Sequence, residues 1–199
     1  MKRIALFASG AGSNVENIIR YFSNDSTLDF PVVISNRDDA AVHERVKPWG
    51  IPSYVFKKRD FENGTVLKFL QEKEIDFIVL AGFLLKIPAT ILKAYPDKIM
   101  NIHPALLPKF GGKGMWGHYV HEAVVASGEK ETGITIHYVN ENYDEGRIIF
   151  QARCPVLPDD SPDDVAAKVH ALEYEHFPRV IGEVVSLYQK HFVFLQNPK

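Results

Sequence analysis

The chain has 199 residues, 46% of them hydrophobic and 24% charged, with a formal net charge of -2. That composition suits a globular protein with one generous core, and its interspersed charges argue against a nucleic-acid or acidic-membrane surface. The one cysteine, Cys154, excludes an intramolecular disulfide and a zinc site clipped by thiols, so no metal is expected.

The chain opens "MKRIALFASG", whose apolar run of about five residues is too brief for a signal-peptide core or a membrane span. A buried first strand over Ile4 to Ala8 and a cytoplasmic location are the expectation. "SNVENIIRYF" then places Val15, Ile18, Ile19 and Phe22 at i, i+3, i+4 and i+7, an amphipathic helix. "FPVVISN" reads as a second strand and "AAVHERVKPWG" as a second helix, ended by Pro48 and Gly50. "PSYVF" is a third strand, followed by a helix around Val66 to Lys73. "DFIVLAGF" is a fully buried fourth strand, "PATILKAY" a short helix with proline in its first turn, and "IMNIH" a fifth strand.

The second half changes character. "TGITIHYVN" sets Ile134, Ile136 and Tyr138 against Thr135, His137 and Val139, and "GRIIFQARCPV" is a further strand. The two are expected to join the sheet edge as a hairpin-like pair. A long helix opens at "SPDD", with Ser161 as cap, Pro162 at the first position and acids in the first turn. Val165, Val169, Leu172, His176 and Val180 share one of its faces, and Pro178 is expected to kink it. Strands alternating with helices imply parallel pairing with helices on both faces. The expected fold is α/β: a single Rossmann-like domain over 1–199, its mostly parallel sheet flanked by helices, with an antiparallel strand in the C-terminal half.

"ASGAGSNVENI" places Gly10 and Gly12 between the first strand and first helix. Glycines there let backbone approach a ligand, and the helix amino terminus offers unpaired N–H groups to an anion. A dinucleotide fingerprint needs a third glycine where Val15 stands, and an acid where Ser35-Asn36-Arg37 end the second strand, although Asp38 and Asp39 lie close. A monophosphate on the amides of Gly12, Ser13 and Asn14 is the better match. The alternative is a tight turn capped by Ser13 or Asn14, with no ligand.

Asn101 and His103, two apart on a strand, face one way while Ile102 faces the other. Pro104 holds His103 extended, at a strand's carboxyl end, where open α/β sheets bind ligands. Asn101 supplies amide donors, and His103 exchanges a proton near neutrality. No Gly-x-Ser-x-Gly elbow or reactive-cysteine context accompanies them. Donors without a nucleophile suit a reaction in which one substrate attacks another's carbonyl while the protein stabilises the oxyanion. Asp144, ahead of Gly146 in "NENYDEGRII", is placed to orient His103, raise its pKa and relay protons through water. Taken singly, a strand-end histidine and a turn aspartate are also ordinary structural residues.

Together, "SGAGSN", "LAGFLLKI", "NIHPALLPKF" and "DEG" resemble the formyltransferase family, over about Lys2 to Val184. The resemblance implies that 10-formyltetrahydrofolate donates a formyl group to the amine of glycinamide ribonucleotide, in purine biosynthesis. It implies that Asn101, His103 and Asp144 are catalytic. Gly12, Ser13 and Asn14 would hold the ribonucleotide phosphate, with Glu173 on the glycinamide amine or ribose side and His170 one helical turn earlier. Leu84, Leu85, Lys86 and Ile87, with Asn101 and the backbone of Val139, Asn140 and Glu141, would take the folate. Read from its helix alone, Glu173 is equally a solvated acid.

Departures are visible. Ala105 replaces a common serine, and "GGKGMWGHYVHEA" is longer than the usual loop, with His118 and His121 expected on a surface turn. Gly64 falls near the place of an arginine on the folate side, for which Arg59, Lys57 and Lys58 are the candidate substitutes. A formyltetrahydrofolate hydrolase, expected to carry an extra domain ahead of the first strand, and a non-catalytic nucleotide-binding module are the competing readings. The partners expected are small molecules, with the chain a monomer or homodimer.

Overall fold

The computed structural model describes residues 1–196, with side chains described as far as Tyr188. Seven strands form one sheet in the order β3-β2-β1-β4-β5-β6-β7: β1 (Lys2–Phe7), β2 (Leu28–Ser35), β3 (Ser53–Val55), β4 (Phe77–Leu80), β5 (Ile99–His103), β6 (Glu131–Tyr138) and β7 (Ile148–Pro155). The helices are α1 (Ser13–Tyr21), α2 (Val42–Val46), α3 (Lys58–Glu62), α4 (Thr65–Glu72), α5 (Ala89–Ala94), α6 (His118–Ala126) and α7 (Pro162–Gln196). A 3-10 turn, Lys47–Trp49, follows α2.

Strands β1 to β5 pair in parallel, while β6 runs antiparallel to both β5 and β7. One reversed strand and a terminal hairpin are what the alternation of the second half predicts. Strand parity divides the core. Ile4 and Leu6 pack with Val15 and Ile18 of α1 and Val165, Val169 and Phe177 of α7. Ala5 and Phe7 face the opposite layer, with Phe61 of α3, Val66 and Leu70 of α4 and Ile91 of α5. Every β1 residue from Ile4 to Phe7 is fully buried, as a strand covered on both faces requires.

The long helix starts as its sequence predicts. Ser161 Oγ accepts the Asp164 N–H at 3.2 Å, and Asp164 Oδ2 accepts the Ser161 N–H at 2.9 Å, a reciprocal capping box. Pro178 lies inside α7, which continues past it. Two helices go unread in the sequence, α3 and α6. His118 and His121 therefore stand on a helix and not on a surface turn, and His121 is buried.

Candidate functional site

The crevice opens beyond β1 and β4, the neighbouring strands at which the chain turns toward opposite edges of the sheet; such switch points bind ligands in open α/β folds. Buried Ser9 ties its two lips together. The Ser9 N–H donates to Gly82 O at 2.9 Å, and its hydroxyl donates to Asn36 Oδ1 at 2.5 Å while accepting the Leu84 N–H at 2.9 Å. The result is a cavity of about 800 Å³ walled by Gly10 to Asn14, Ala81 to Leu84, Asn101 to Pro104, the loop Gly112 to His118, and His170 and Glu173 of α7.

At one end α1 points its amino terminus into the cavity. Gly12 has φ 73, where a Cβ would overlap the Val42 side chain of α2, so only glycine fits. No side chain caps α1. The capped turn without a ligand, the alternative reading of this loop, is not what the chain builds. Asn14 Nδ2 instead donates to Glu173 Oε2 at 2.8 Å, leaving Asn14 Oδ1 buried without a partner. His170 Nδ1 donates to the same Glu173 oxygen at 2.9 Å. That bond raises the His170 pKa above the ordinary histidine value, against the opposing effect of burial. Glu173 is only 4% exposed, so the solvated-acid reading fails.

At the centre, β5 and β6 set Asn101 opposite His137 and His103 opposite Thr135. Asp144, in the left-handed region at φ 57, comes over them from the loop before β7. Its Oδ2 lies 3.5 Å from His103 Nδ1 and its Oδ1 3.7 Å from His137 Nε2, and it accepts the Gly112 N–H at 2.9 Å. The three residues singled out in the sequence therefore converge, with His137 as a fourth that sequence reasoning missed. His137 Nδ1 donates to Tyr138 O at 2.9 Å, so its Nε2 accepts from Asn101 Nδ2 at 3.1 Å. This turns the Asn101 NH₂ group, rather than its oxygen, toward the centre, and leaves its second N–H free. His103 Nε2 donates to Phe110 O at 2.7 Å, which leaves Nδ1 as the ring's exchangeable position.

The electrostatics correct one expectation. Burial pushes the His103 pKa below the ordinary value, and Asp144 and the Phe110 carbonyl pull it back only in part. At 3 % exposure the cost of charging the ring outweighs the pull of the carboxylates of Asp144 and Glu173. For Asp144, burial acts upward, but His137, the His103 charge and the Gly112 N–H together bring its pKa below the usual carboxylate value. The resting pair is therefore a carboxylate beside a neutral imidazole poised to take a proton.

Two large apolar side chains that line the cavity, Leu84 and Tyr143, remain 41% and 40% exposed. Lys86 Nζ stands 5.8 Å from the Tyr143 ring centroid. Of the expected folate residues Leu84 and Asn101 line the cavity and the rest, Lys86 included, do not: Ile87 is buried in the core layer of Ala5 and Phe7, Leu85 and Val139 pack against that layer, and Asn140 and Glu141 are exposed. The basic residues considered as substitutes pair elsewhere, Lys57 with Asp38 at 3.4 Å, Lys58 with Glu62 at 3.5 Å and Arg59 with Asp60 at 3.7 Å. Among the described residues no cluster of three or more His, Cys, Asp or Glu is placed to hold a metal, and no helix is long and apolar enough to cross a membrane.

Asn101, His103 and Asp144 thus stand together at the carboxyl end of β5 in a Rossmann-like sheet. The chain belongs to the formyl transferase family, whose profile matches residues 2–181. It is 40% identical over 190 residues to the chloroplastic phosphoribosylglycinamide formyltransferase of Arabidopsis thaliana, covering 92% of this chain and 65% of that one. It is 37% identical to the phosphoribosylglycinamide formyltransferase of Haemophilus influenzae, covering 91% of this chain and 86% of the relative. Against the crystal structure of phosphoribosylglycinamide formyltransferase from Bacillus halodurans it is 35% identical with a TM-score of 0.84, over 93% of this chain and 96% of that one.

Proposed function

We propose that this chain transfers the formyl group of 10-formyltetrahydrofolate to the amine of glycinamide ribonucleotide, as a single formyltransferase domain over 1–199 acting in the cytoplasm. One observation carries the reading. Asn101, His103 and Asp144 meet in a cavity that is also lined by an uncapped helix amino terminus and by the exposed apolar side chains of Leu84 and Tyr143. The phosphate takes the amides of Gly12, Ser13 and Asn14, and Glu173 and His170 face the sugar side. The pterin lies against Leu84 and Tyr143, with Lys86 beside the Tyr143 ring.

In the transfer, the ribonucleotide amine attacks the formyl carbon and a new C–N bond forms. Asn101 gives its free N–H to the oxygen that gains negative charge; one placed donor of this kind is worth about 3 kcal/mol of barrier. The attacking nitrogen must lose a proton and the departing folate nitrogen must gain one. His103 Nδ1 and Asp144, facing each other across 3.5 Å, hold that proton in between. Developing negative charge beside His103 favours its charged form, offsetting the burial that keeps it neutral at rest. No covalent enzyme intermediate is required.

The test is optical. Mixed with glycinamide ribonucleotide and a formyl-folate, the protein should release deformylated folate only while the ribonucleotide is present. Equal release without ribonucleotide would assign the chain as a formyl-folate hydrolase, and no release from folded protein would refute catalysis.

A further inference from the structure

Helix α6 brings into the cavity wall a residue to which the mechanism above gives no role. His121 is 3% exposed, yet neither ring nitrogen has a partner: Nδ1 is sealed from solvent without a hydrogen bond, and Nε2 bonds nothing. His121 lines the cavity, and since Nδ1 is sealed, Nε2 is the nitrogen open to it. Its only close ring contact is His170, at 6.4 Å between centroids.

An unsatisfied buried polar atom is costly, so a native site that keeps one invites a functional explanation. Orphaned N–H groups are rarer in proteins than orphaned acceptors. The sealed Nδ1 is therefore the bare nitrogen, and the proton sits on Nε2 as a donor aimed into the cavity. The ring is neutral throughout the physiological range, because burial, reinforced by the His170 charge, holds its pKa down to about 4 despite Glu173. A neutral donor suits a neutral oxygen and offers little to a phosphate.

Position selects the oxygen. His170, tied through Glu173 to Asn14 at the α1 amino terminus, holds its ring 6.4 Å from that of His121, and the cavity that both line continues to His103; His121 therefore faces the interval from the phosphate end to the reacting centre. The stretch of substrate crossing that interval is its uncharged middle. Resting on the functional reading above, we propose that His121 is a substrate-recognition residue, donating Nε2–H to a neutral hydroxyl or amide oxygen between the ribonucleotide's phosphate and its amine.

Three variants test this. His121→Phe keeps a ring and removes the donor, His121→Gln returns an amide nitrogen near the Nε2 position, and His121→Asn returns one near Nδ1. KM for the ribonucleotide should rise about tenfold in the Phe and Asn variants, the scale of one lost hydrogen bond, and stay within about threefold in Gln. KM for the formyl-folate should be unchanged in all three, which a general packing defect would not respect. Ribonucleotide analogues lacking single sugar hydroxyls then separate the sources: the partner hydroxyl's loss lowers wild-type affinity but not that of His121→Phe, and if none does so the amide oxygen is the partner. Should the Phe variant not fold, equal KM values in Gln and Asn overturn the assignment. An active wild type with unchanged KM in folded His121→Phe overturns it alone; an inert wild type overturns the functional reading with it.

Discussion

A buried neutral histidine makes a signed prediction about acid stability. In the unfolded chain His121 takes up a proton below about pH 6.5, whereas in the folded protein it does so only near about 4. Because its folded pKa is depressed, the unfolded state binds the proton first. Its contribution is therefore complete above about pH 6.5 and is lost as pH falls toward 4. At about 1.4 kcal/mol per pH unit, that gap is worth about 3 kcal/mol at the acid end. His103, also held down by burial, acts in the same direction, while His170, whose pKa is raised, acts in the opposite one. Comparing wild type with His121→Phe cancels those shared contributions. Urea denaturation at constant salt should show the wild type losing about 2–3 kcal/mol more than the variant between pH 7 and pH 4.5. Parallel stability curves would show that His121 is not held neutral, and would remove the premise of its donor role.

Four further outcomes follow from the site. His103→Ala should lower turnover about 10²-fold or more in steady-state assays, and near-normal turnover would remove its proton-carrying role. Asn14→Ala should act chiefly on ribonucleotide KM, since it removes the side chain holding Glu173 beside the amides of α1; an unchanged KM would leave Asn14 as scaffolding. The positive charge of His170, whose pKa is raised by Glu173, persists above pH 6.5 and is lost as pH rises through the raised value. Ribonucleotide affinity measured by calorimetry should weaken across that range, and His170→Gln should flatten the profile. Gly146→Ala would place a Cβ against the Tyr138 carbonyl that holds His137, so activity should collapse together with a loss of about 1–3 kcal/mol of stability; wild-type activity would mean that Asn101 does not depend on His137.

Much of the architecture is legible because strand parity and helix periodicity are local signals. The fifth strand over Ile99 to His103, the Ser161 cap and the hairpin at the edge all appear where the sequence places them. The missed helices have physical reasons. With five residues, α3 is too short to show a period, and α6 follows a glycine-rich loop with no Ser, Thr, Asp or Asn at its cap. Val120 and Val124 at i, i+4 are the trace by which α6 was readable. His137 sits on the correct side of β6 by parity, but its importance depends on the register that sets it opposite Asn101, which only pairing reveals. The net direction of the His103 pKa is hidden from the sequence for a similar reason: the upward pull of Asp144 can be read there, whereas the larger effect of burial comes from strands and loops distant in the chain.

The same parity that builds the core explains why the centre forms at this place. Met100, Ile102, Ile134 and Ile136 turn to the α7 side and are sealed there. The alternate positions, Asn101, His103, Thr135 and His137, turn to the other face at the end of β5. Thr135 uses its hydroxyl structurally, donating to Ala105 O at 2.7 Å and accepting the Leu107 N–H at 3.0 Å, which anchors the segment carrying Phe110 to the sheet. Phe110 O then fixes His103 Nε2, and two residues on the Gly112 N–H fixes Asp144. One short segment thus holds both members of the proton-carrying pair. A shift of that segment would disturb His103 and Asp144 together, so catalysis should be sensitive to changes anywhere between Ala105 and Gly112.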